Sequence, residues 1–315
     1  MLLLLSDYLF LKTELHMTDI SVVIPSYNTQ DVLHNTLDAL ANQVCKCSYE
    51  TIVIDCSESD AVSDICEQFG VRCYREVERF NPGKGRNIGA DKAQGSLLVF
   101  LDADVILDQR ALENAWAFYQ QGNNIFGGAL ELNEDKQIGA ASYLEHYFFN
   151  TENQAGRPVC DRSNLSSALM LFDRKTFIDS KGFKDIPRMQ DTELTERLLE
   201  QGKKLKFNPA VIGYQTQDSP LAKVLRKIFI GGKNLYFLRY ADRSILFKIG
   251  FALLLPIITG FKMLRIFSRH LKYQSGEQKI KLVKISPLMI LGGLYWMIGL
   301  YRSMIFGGGI SKNRD

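Results

Sequence analysis

Two aspartates end an apolar run in the sequence GSLLVFLDADV, with one alanine between them. A buried strand has no use for such side chains, because burying an unpaired carboxylate is very costly. Residues two apart at a strand end can point the same way, so Asp102 and Asp104 can face one ligand. Carboxylate oxygens suit Mg²⁺ or Mn²⁺, which keep several waters and bind substrate diphosphates. The alternative is that these acids only cap a following helix.

Polar residues lie beside three other apolar runs in the same part of the chain. Asp55 ends the run TIVID, and its carboxylate can accept a hydrogen bond from a base or a ribose. The segment NPGKGRN carries Lys84, Arg86 and Asn87 among glycines that let a backbone approach a ligand closely. Arginine can hold two phosphate oxygens at once. Together these residues predict a nucleotide-diphosphate site with a metal, although the glycine-rich segment alone could be a solvated turn.

The elements that position these residues alternate between strand and helix. The runs ISVVIP, TIVID, VRCY and SLLVFL predict strands, and the segments between them carry apolar residues at helical spacing. This alternation predicts an α/β fold with a mainly parallel sheet, flanked by helices on both faces. Ligands of such sheets bind beyond the carboxyl ends of the strands, which is where the polar residues fall. Further strands are predicted at IFGGALEL, SSALMLFD and KLKFNP and a helix at DTELTERLLEQG, with an irregular region before Asn164.

The order of these segments resembles the GT-A glycosyltransferases of family 2. The resemblance covers roughly residues 20–215 and rests on VVIPSYN, VID with ESD, GRNIGADKAQGSLLVFLDAD, KGFKD and QDTELTERLLEQG. It implies a Rossmann-like fold and an inverting enzyme that uses nucleotide-activated sugars and a divalent cation. The long apolar segments near the carboxyl end are similar to those of membrane-associated members that build exopolysaccharides or glycolipids.

The resemblance also implies roles for individual residues. Asp191 takes the position of the catalytic base, which removes a proton from the acceptor hydroxyl as that oxygen attacks the anomeric carbon. Asp104 is the main metal ligand, and Asp102 contacts ribose or metal. Ser166, in the loop SNLSSA, and Gln190 are expected at the acceptor. The remaining residues expected at the nucleotide-sugar are Pro25, Tyr27, Asn28, Asp55, Lys84, Arg86 and Asn87.

Three positions depart from the family pattern. Cys56 stands where a second acid often follows Asp55, and Gln190 replaces the usual glutamate before Asp191. Gln215 stands where a histidine commonly follows the last strand, which puts a diphosphate or metal contact in doubt. No Q-x-x-R-W follows Asp191, so processive polymerisation of the cellulose-synthase kind is not expected.

Two long apolar segments, about 245–267 and 286–306, distinguish the carboxyl-terminal part, residues 218–315, from the predicted catalytic domain, residues 17–217. Their uncharged cores are shorter than the ~20 residues that a spanning helix needs. The link between the segments is strongly basic, which opposes its transfer across a membrane. A hairpin of interfacial or re-entrant helices on the cytoplasmic face is preferred; two spanning helices and buried core helices are the alternatives. The basic residues of the link are Lys262, Arg265, Arg269, Lys272, Lys279, Lys281 and Lys284.

Composition sets the remaining limits. With 315 residues, 46% of them hydrophobic and 23% charged, the chain can form one large domain with an appendage or two small domains. No C-x-x-C pair occurs, so a zinc site is not expected, and the six cysteines are interpreted as reduced and cytosolic. Residues 1–16 lack a basic n-region and a cleavage site, and are interpreted as an extension without order.

We therefore expect transfer of a single sugar from a nucleotide-diphosphate sugar to a membrane-borne, lipid-linked or glycan acceptor, and the expected donor is a UDP-sugar. The expected partners are that donor, that acceptor and membrane lipids, with no nucleic acid. Two alternatives remain at this stage. A nucleotidyltransferase would also use acids and a basic glycine-rich loop, but usually places that loop directly after the first strand. A non-catalytic membrane-bound relative would fit the substitutions at Cys56, Gln190 and Gln215.

Overall fold

A mixed sheet forms the centre of the computed structural model, which describes residues 18–134 and 138–309. The expectation for residues 1–16 lies outside the described residues. The strands are β1 (Ile20–Ser26), β2 (Tyr49–Asp55), β3 (Arg72–Arg75), β4 (Leu97–Leu101), β5 (Val105–Leu107), β6 (Ile125–Leu132), β7 (Cys160–Arg162), β8 (Leu169–Asp173) and β9 (Leu205–Gln215). Their order across the sheet is β3-β2-β1-β4-β8-β6-β9-β5, and β7 also pairs with β9.

Helices connect and cover these strands. Those of the first two-thirds of the chain are α1 (Gln30–Ala41), α2 (Ala61–Gln68), α3 (Pro82–Lys92), α4 (Ala111–Gln120), α5 (Ala140–Phe149), α6 (Arg174–Asp179) and α7 (Gln190–Glu200). The carboxyl-terminal helices are α8 (Leu221–Arg239), α9 (Ile245–Tyr273), α10 (Gly276–Lys284) and α11 (Ser286–Phe306).

The first four strands are parallel, as the alternation of strands and helices predicted. β1 pairs in parallel with both β2 and β4, and β2 pairs with β3. The far half of the sheet is mixed, because β8 runs antiparallel to both β4 and β6. Ser26 is in register with Asp55, so the carboxyl ends of β1 and β2 meet. Continuing the register between β1 and β4 by two residues brings Asp102 level with Pro25.

Each face of the sheet carries its own apolar core. Leu37 of α1, Val62 of α2 and Leu112 of α4 pack with the strands on one face. Phe177 of α6 and Leu194 of α7 belong to the core of the other face. The sheet is therefore covered on both sides, and its polar residues emerge only at the strand ends.

The carboxyl-terminal helices share a third core with α5. Leu144 and Phe148 of α5 pack with Val224 of α8, Leu255 of α9 and Leu300 of α11. The segment before Asn164, which was predicted to be irregular, therefore contains a helix, and this helix joins the sheet to the carboxyl-terminal part. α9 and α11 are long and apolar enough to cross a membrane by length and composition, and only 11% and 39% of their most apolar windows are buried. Most of each window is exposed, whereas a fully buried core helix would have most of its apolar window covered.

Two cysteines differ from the expectation that all are reduced. Cys45 and Cys47 form a disulfide in the loop between α1 and β2, where their Cα atoms lie 5.3 Å apart. The tight loop brings two side chains together across a single intervening residue, which no pattern of C-x-x-C type would reveal. Cys56 and Cys66 are free and buried, in keeping with their interpretation as small core residues.

Candidate active site

The guanidinium of Arg86 and the carboxylate of Asp102 form an ion pair at the carboxyl end of β4. Asn81 caps the amino end of α3 by accepting the amide of Lys84, and the helix then presents Arg86 beneath the strand end. The Arg86 side chain is 3% exposed, whereas that of Asp102 is 33% exposed. The positive charge of Arg86 is therefore buried, while the paired carboxylate of Asp102 remains accessible to a ligand.

Asp191, at the start of α7, faces the same place. One of its oxygens accepts the Thr192 amide at 2.7 Å, and the other accepts the Ser167 amide at 3.5 Å. The amide of Asp102 in turn donates to the Ala168 carbonyl at 3.1 Å, so one loop touches both acids. Burial raises the pKa of Asp191, while the Thr192 and Ser167 amides and the positive charge of Arg86 act against that rise. This carboxylate is held in place and made more basic.

The backbone before α7 adopts an unusual conformation. Met189 has a φ of 64°, in the left-handed region that residues other than glycine rarely adopt. Its carbonyl accepts the Glu193 amide at 3.0 Å, so the chain turns sharply into the helix two residues before Asp191. Left-handed residues of this type cost about 1–3 kcal/mol and are often found at functional sites. Here the turn sets the direction of the Asp191 side chain.

Asp104 contacts a residue from the last strand. The Gln215 side-chain amide donates to an Asp104 carboxylate oxygen at 3.5 Å, and the Thr216 amide donates to the Asp104 carbonyl at 2.9 Å. The antiparallel pairing of Val105 with Gln215 produces this contact. Burial, and secondarily the negative charge of Asp102, raise the pKa of Asp104 to about 7.

A chain of polar side chains continues from Gln215 into α5. The Gln215 amide oxygen accepts hydrogen bonds from Asn150 at 3.3 Å and from Gln217 at 3.1 Å. Asn150 also contacts a ring nitrogen of His146 at 3.3 Å. Burial lowers the pKa of His146 to about 3, so this ring is neutral and serves as a hydrogen-bonding partner. The network connects the candidate metal ligand to the helix that supports the carboxyl-terminal part.

The end of β2 offers an acceptor for a base or a ribose. Asp55 is fully buried, and one of its carboxylate oxygens accepts the Ser57 hydroxyl at 2.6 Å. The other oxygen has no hydrogen-bond partner among the described residues. The Ser57 hydroxyl also accepts the Asn28 amide at 2.7 Å, which joins the loops after β1 and β2. A buried oxygen without a partner indicates a place where a ligand can donate.

The loop after β1 contributes the residues predicted there. Pro25 lies against Gly85, where an added Cβ would be 3.1 Å from its side chain. The Tyr27 ring lies 4.0 Å from the guanidinium of Arg79, and Asn28 is exposed with a left-handed backbone. Lys84 is exposed on the first turn of α3. These side chains lie around the carboxyl ends of β1 and β2. Arg79 lies with them, although no motif in the sequence indicates it.

Three predicted residues have their side-chain amides or hydroxyls engaged within the protein. The Asn87 amide donates to the Phe183 carbonyl at 2.8 Å and accepts the Phe183 amide at 2.9 Å. Gln190 donates to the Ile186 carbonyl at 2.7 Å and is buried. The Ser166 hydroxyl accepts the Ala168 amide at 3.4 Å. In this arrangement Asn87 and Gln190 fasten the loop before α7, while Ser166 shapes the loop that contacts Asp191.

The donor set at Asp102 and Asp104 fits a hard divalent cation. Both are carboxylates, and the negative charge of Asp102 disfavours ionisation of Asp104, an effect that a cation would offset. Among the described residues, no group of three or more His, Cys, Asp or Glu side chains converges as a metal cluster. A cation here would take its remaining oxygens from water and from a bound diphosphate, which is how Mg²⁺ is commonly held.

Sequence reasoning missed Asn150, His146 and Lys227. The positive charge of Lys227, on α8, acts to lower the pKa of Asp104, against the larger effect of burial. Lys227 itself is paired with Glu145 at 2.6 Å. None of the three lies near a recognisable motif, and they meet the site only because α5 and α8 pack together. An alignment of related sequences would be the signal to look for.

The mixed sheet, the helices on both faces and the acids at the strand ends define a glycosyltransferase of the GT-A type. A model of the family described as glycosyl transferase family 2 matches residues 21–178. This chain belongs to that family. The nucleotidyltransferase interpretation is thereby set aside.

Named relatives agree with this assignment. The glycosyltransferase AglE of Haloferax volcanii is 30% identical over 253 residues, which are 77% of this chain and 81% of AglE. The poly(ribitol-phosphate) β-N-acetylglucosaminyltransferase TarP of Staphylococcus aureus is 30% identical over 177 residues, about half of each chain (53% and 52%).

Solved structures share the fold. A mannosyltransferase from Pyrobaculum calidifontis, in complex with GDP-Man and Mn²⁺, superposes with a TM-score of 0.57. Its identity is 12%, and the match covers 97% of this chain and 94% of that one. Residues 1–349 of S. aureus TarS, in complex with UDP-GlcNAc, give a TM-score of 0.50 at 15% identity, over 94% and 97% of the two chains. At these identities the likeness concerns the fold.

Proposed function

We propose that this protein transfers one sugar from a nucleotide-diphosphate sugar, a UDP-sugar, to a membrane-borne or lipid-linked acceptor, with inversion at the anomeric carbon. The observation that carries the proposal is the meeting of Asp191 with Asp102 and Arg86 through the loop 166–168. One acid is accessible at the strand end where a diphosphate would lie. The other is oriented by two backbone amides and has the raised pKa that suits a base.

The chemistry assigned to Asp191 is removal of one proton. Its carboxylate takes the proton of the acceptor hydroxyl while that oxygen forms a bond to the anomeric carbon. The bond from that carbon to the diphosphate breaks on the opposite side, and the diphosphate leaves with the bonding electrons. Attack opposite the leaving group inverts the configuration. A divalent cation held by Asp104 and Asp102 would neutralise the charge of the departing diphosphate.

Recognition of the nucleotide is assigned to the loops after β1 and β2. The free oxygen of Asp55 would accept a hydrogen bond from an N–H of the base or a hydroxyl of the ribose. Tyr27, whose ring contacts the Arg79 guanidinium, is assigned to the same nucleotide. Both uracil and guanine carry a ring N–H that such an oxygen could accept. The family neighbours bind donors of both kinds, UDP-GlcNAc and GDP-Man. We assign uracil, and the donor panel below tests that choice.

Membrane attachment is assigned to α9 and α11, and the catalytic domain is assigned to the cytoplasmic side. Exposed apolar residues line one side of α9 over five turns, among them Leu246, Leu253, Ile257 and Leu264. Water is a poor partner for so large an apolar face. Both helices are also attached sideways to the catalytic part, α11 through α8 and α9 through α5. That attachment supports helices lying in the membrane surface, as the basic link between them does.

The proposal is tested with a panel of nucleotide-sugars on the full chain in mild detergent. Thermal stability is measured with UDP-, GDP- and dTDP-sugars, each with and without Mn²⁺, because a ligand that binds the folded state raises the melting temperature. We expect a shift of several degrees that requires both Mn²⁺ and a UDP-sugar. A shift with GDP-sugars alone would overturn the assigned base, and no shift with any donor would overturn the proposed function. The anomeric configuration of the product, read by NMR, tests inversion.

A further inference from the structure

Four arginines surround a single glutamate where the loop after α5 meets α9. Glu152 contacts Arg157 at 3.4 Å, Arg162 at 3.3 Å and Arg265 at 2.8 Å, and it also contacts Arg269. In the described parts of the chain, no other carboxylate lies within ion-pair distance of these four side chains. We call this group the arginine cluster. One carboxylate against four guanidinium groups leaves three positive charges without a counter-charge in it.

The inner part of the cluster is built and buried. The side chains of Arg157 and Arg162 are 8% and 6% exposed. Arg157 is fixed by the Gln154 side chain at 2.6 Å and the Thr151 carbonyl at 3.1 Å, and its guanidinium lies 4.4 Å from the Tyr273 ring. Burial, together with the adjacent charge of Arg157, lowers the pKa of Arg162 to about 10. Like charges held this closely in a poorly solvated place are unfavourable unless an anion joins them.

The outer part of the cluster is open. Arg265 is 63% exposed and Arg269 is 31% exposed, so an anion can reach the cluster from their side. Guanidinium groups bind phosphate oxygens with two parallel hydrogen bonds, and several arginines together favour phosphate over a single carboxylate. The cluster therefore has the chemistry of a phosphate site, with buried arginines at its base and exposed ones at its rim.

The position of the cluster along α9 indicates where that phosphate comes from. Arg265 directly follows Leu264 in the sequence and Arg269 lies one turn further on, so both arginines flank the exposed apolar side of the helix, which continues to Leu271. In a helix that lies in the membrane surface with its apolar side in the acyl region, the side chains that flank that side lie at the level of the phosphate groups. The adjacent apolar side favours a lipid headgroup over free phosphate, because only a lipid would also contact that apolar surface.

We propose that the arginine cluster binds the phosphate headgroup of an anionic membrane lipid. The proposal rests on the proposed attachment of α9 to a membrane surface and specifies the lipid class that attachment uses. The bound headgroup offsets part of the uncompensated positive charge of the cluster and fixes the depth and orientation of α9. It also stands close to the candidate site, because Arg162 contacts Asn153 at 3.5 Å, Asn153 contacts Asn150 at 3.4 Å, and Asn150 contacts Gln215.

The test is flotation of the full chain with vesicles of phosphatidylcholine alone and of phosphatidylcholine with phosphatidylglycerol. The variant Arg265→Gln/Arg269→Gln changes only the rim, so the buried base is retained. The matched control is Lys272→Gln/Lys284→Gln, which removes the same charge from exposed positions of the same region. A third variant, Arg265→Lys/Arg269→Lys, keeps the charge but loses the forked geometry. Retained binding of nucleotide with Mn²⁺ in detergent confirms that each variant is folded.

We expect wild-type protein to bind anionic vesicles at least tenfold more tightly than neutral ones. The Gln variant should lose most of that preference, the Lys variant should lose part of it, and the control should lose less than threefold. Inorganic phosphate at 10 mM should not displace the protein from vesicles.

Four results would overturn the proposal. An equal loss of the preference for anionic vesicles in the control variant would mean that the basic region attracts the membrane diffusely, without a specific site. Displacement by inorganic phosphate would mean a site for free phosphate. Equal binding of wild type to neutral and anionic vesicles would remove the lipid specificity while leaving membrane attachment standing. Binding to neither kind of vesicle would reject attachment and the headgroup site together, and the donor panel would still decide the catalytic proposal separately.

Discussion

The Ser167 amide donates a hydrogen bond to the Asp191 carboxylate, across 24 residues of sequence, and joins the loop before β8 to the start of α7. The same loop accepts the amide of Asp102 through the Ala168 carbonyl. A proposed base and an acid assigned to the donor are therefore positioned by one short segment. A small movement of that segment would shift both Asp102 and Asp191. An acceptor that binds against the segment would therefore affect the positions of both acids.

Replacing Asp191 with asparagine should stop transfer while leaving donor binding intact. The amide keeps the shape of the side chain but cannot take a proton, and loss of a general base typically costs roughly 10²–10⁴-fold in rate. The measurement is kcat for sugar transfer, together with the affinity for the nucleotide-sugar with Mn²⁺. A rate within a few-fold of wild type would place the base elsewhere.

The pH dependence should follow the raised pKa of Asp191. Because the base must be ionised, kcat should fall as the pH falls through that raised pKa, at a higher pH than an ordinary aspartate would give. Stability should change in the opposite sense. The folded state holds the proton more tightly than the unfolded state, so stability decreases as the pH rises from the ordinary aspartate pKa of about 3.9 through the raised value.

The Asp191→Asn variant supplies the control for that pH dependence. It lacks the ionisation, so its melting temperature at neutral pH should equal or exceed that of wild type, and the difference should shrink towards pH 4. Melting temperatures of both proteins across this range in detergent provide the measurement. If Asp191→Asn melted below wild type at neutral pH but not at pH 4, the result would contradict the burial of an ionised carboxylate at this position.

Replacing Asp104 with alanine should abolish activity and metal-dependent nucleotide binding without unfolding the protein. The variant loses the main proposed oxygen ligand, but it also relieves the repulsion between Asp104 and Asp102. Its melting temperature without metal should therefore be unchanged or higher, and Mn²⁺ should no longer raise it in the presence of donor. Asp91→Ala, on the exposed side of α3, is the matched control. Undiminished turnover of the Asp104 variant would reject the metal role.

The contact between Gln215 and Asp104 predicts a different effect for each of two substitutions at Gln215. Gln215→Ala removes a hydrogen bond that lowers the pKa of Asp104, so the affinity for Mn²⁺ at neutral pH should fall by about 10–100-fold, as for other residues that orient a ligand. Gln215→Glu adds a carboxylate beside Asp104, which should destabilise the metal-free protein. Mn²⁺ should restore that stability. A Glu variant that Mn²⁺ does not stabilise would argue against a cation at this position.

The sequence allowed prediction of the parallel half of the sheet because each buried strand, turn and helix there is coded locally. It also placed Asp55 and Asp102 at strand ends and Arg86 in the segment that follows a strand, since those placements follow from the alternation of strands and helices. The contact between Asp104 and Gln215 spans 111 residues and depends on an antiparallel pairing that no local pattern indicates. The sequence pattern did not predict helix α5, because buried polar residues such as His146 interrupt its apolar spacing. Such residues are tolerated in the interior only when they contact distant partners.

The close packing of α11 on α8 should be disrupted when a glycine at the contact gains a side chain. A Cβ at Gly232 would lie 2.1 Å from the Trp296 carbonyl oxygen, and a Cβ at Gly299 would lie 2.1 Å from the Phe229 carbonyl oxygen. Neither backbone can move away without separating the two helices. Gly299→Ala should therefore lower the melting temperature in detergent and expose the α11 region to protease.

Gly260→Ala is the matched control, because nothing lies within 4 Å of an added Cβ at that position of α9. Alanine favours a helix over glycine by about 1 kcal/mol, so this variant should be as stable as wild type or more so. If both variants behaved alike, the close contact between α8 and α11 would not hold the carboxyl-terminal part to the catalytic domain. The attachment of the proposed membrane helices would then rest on α9 and its contacts with α5 alone.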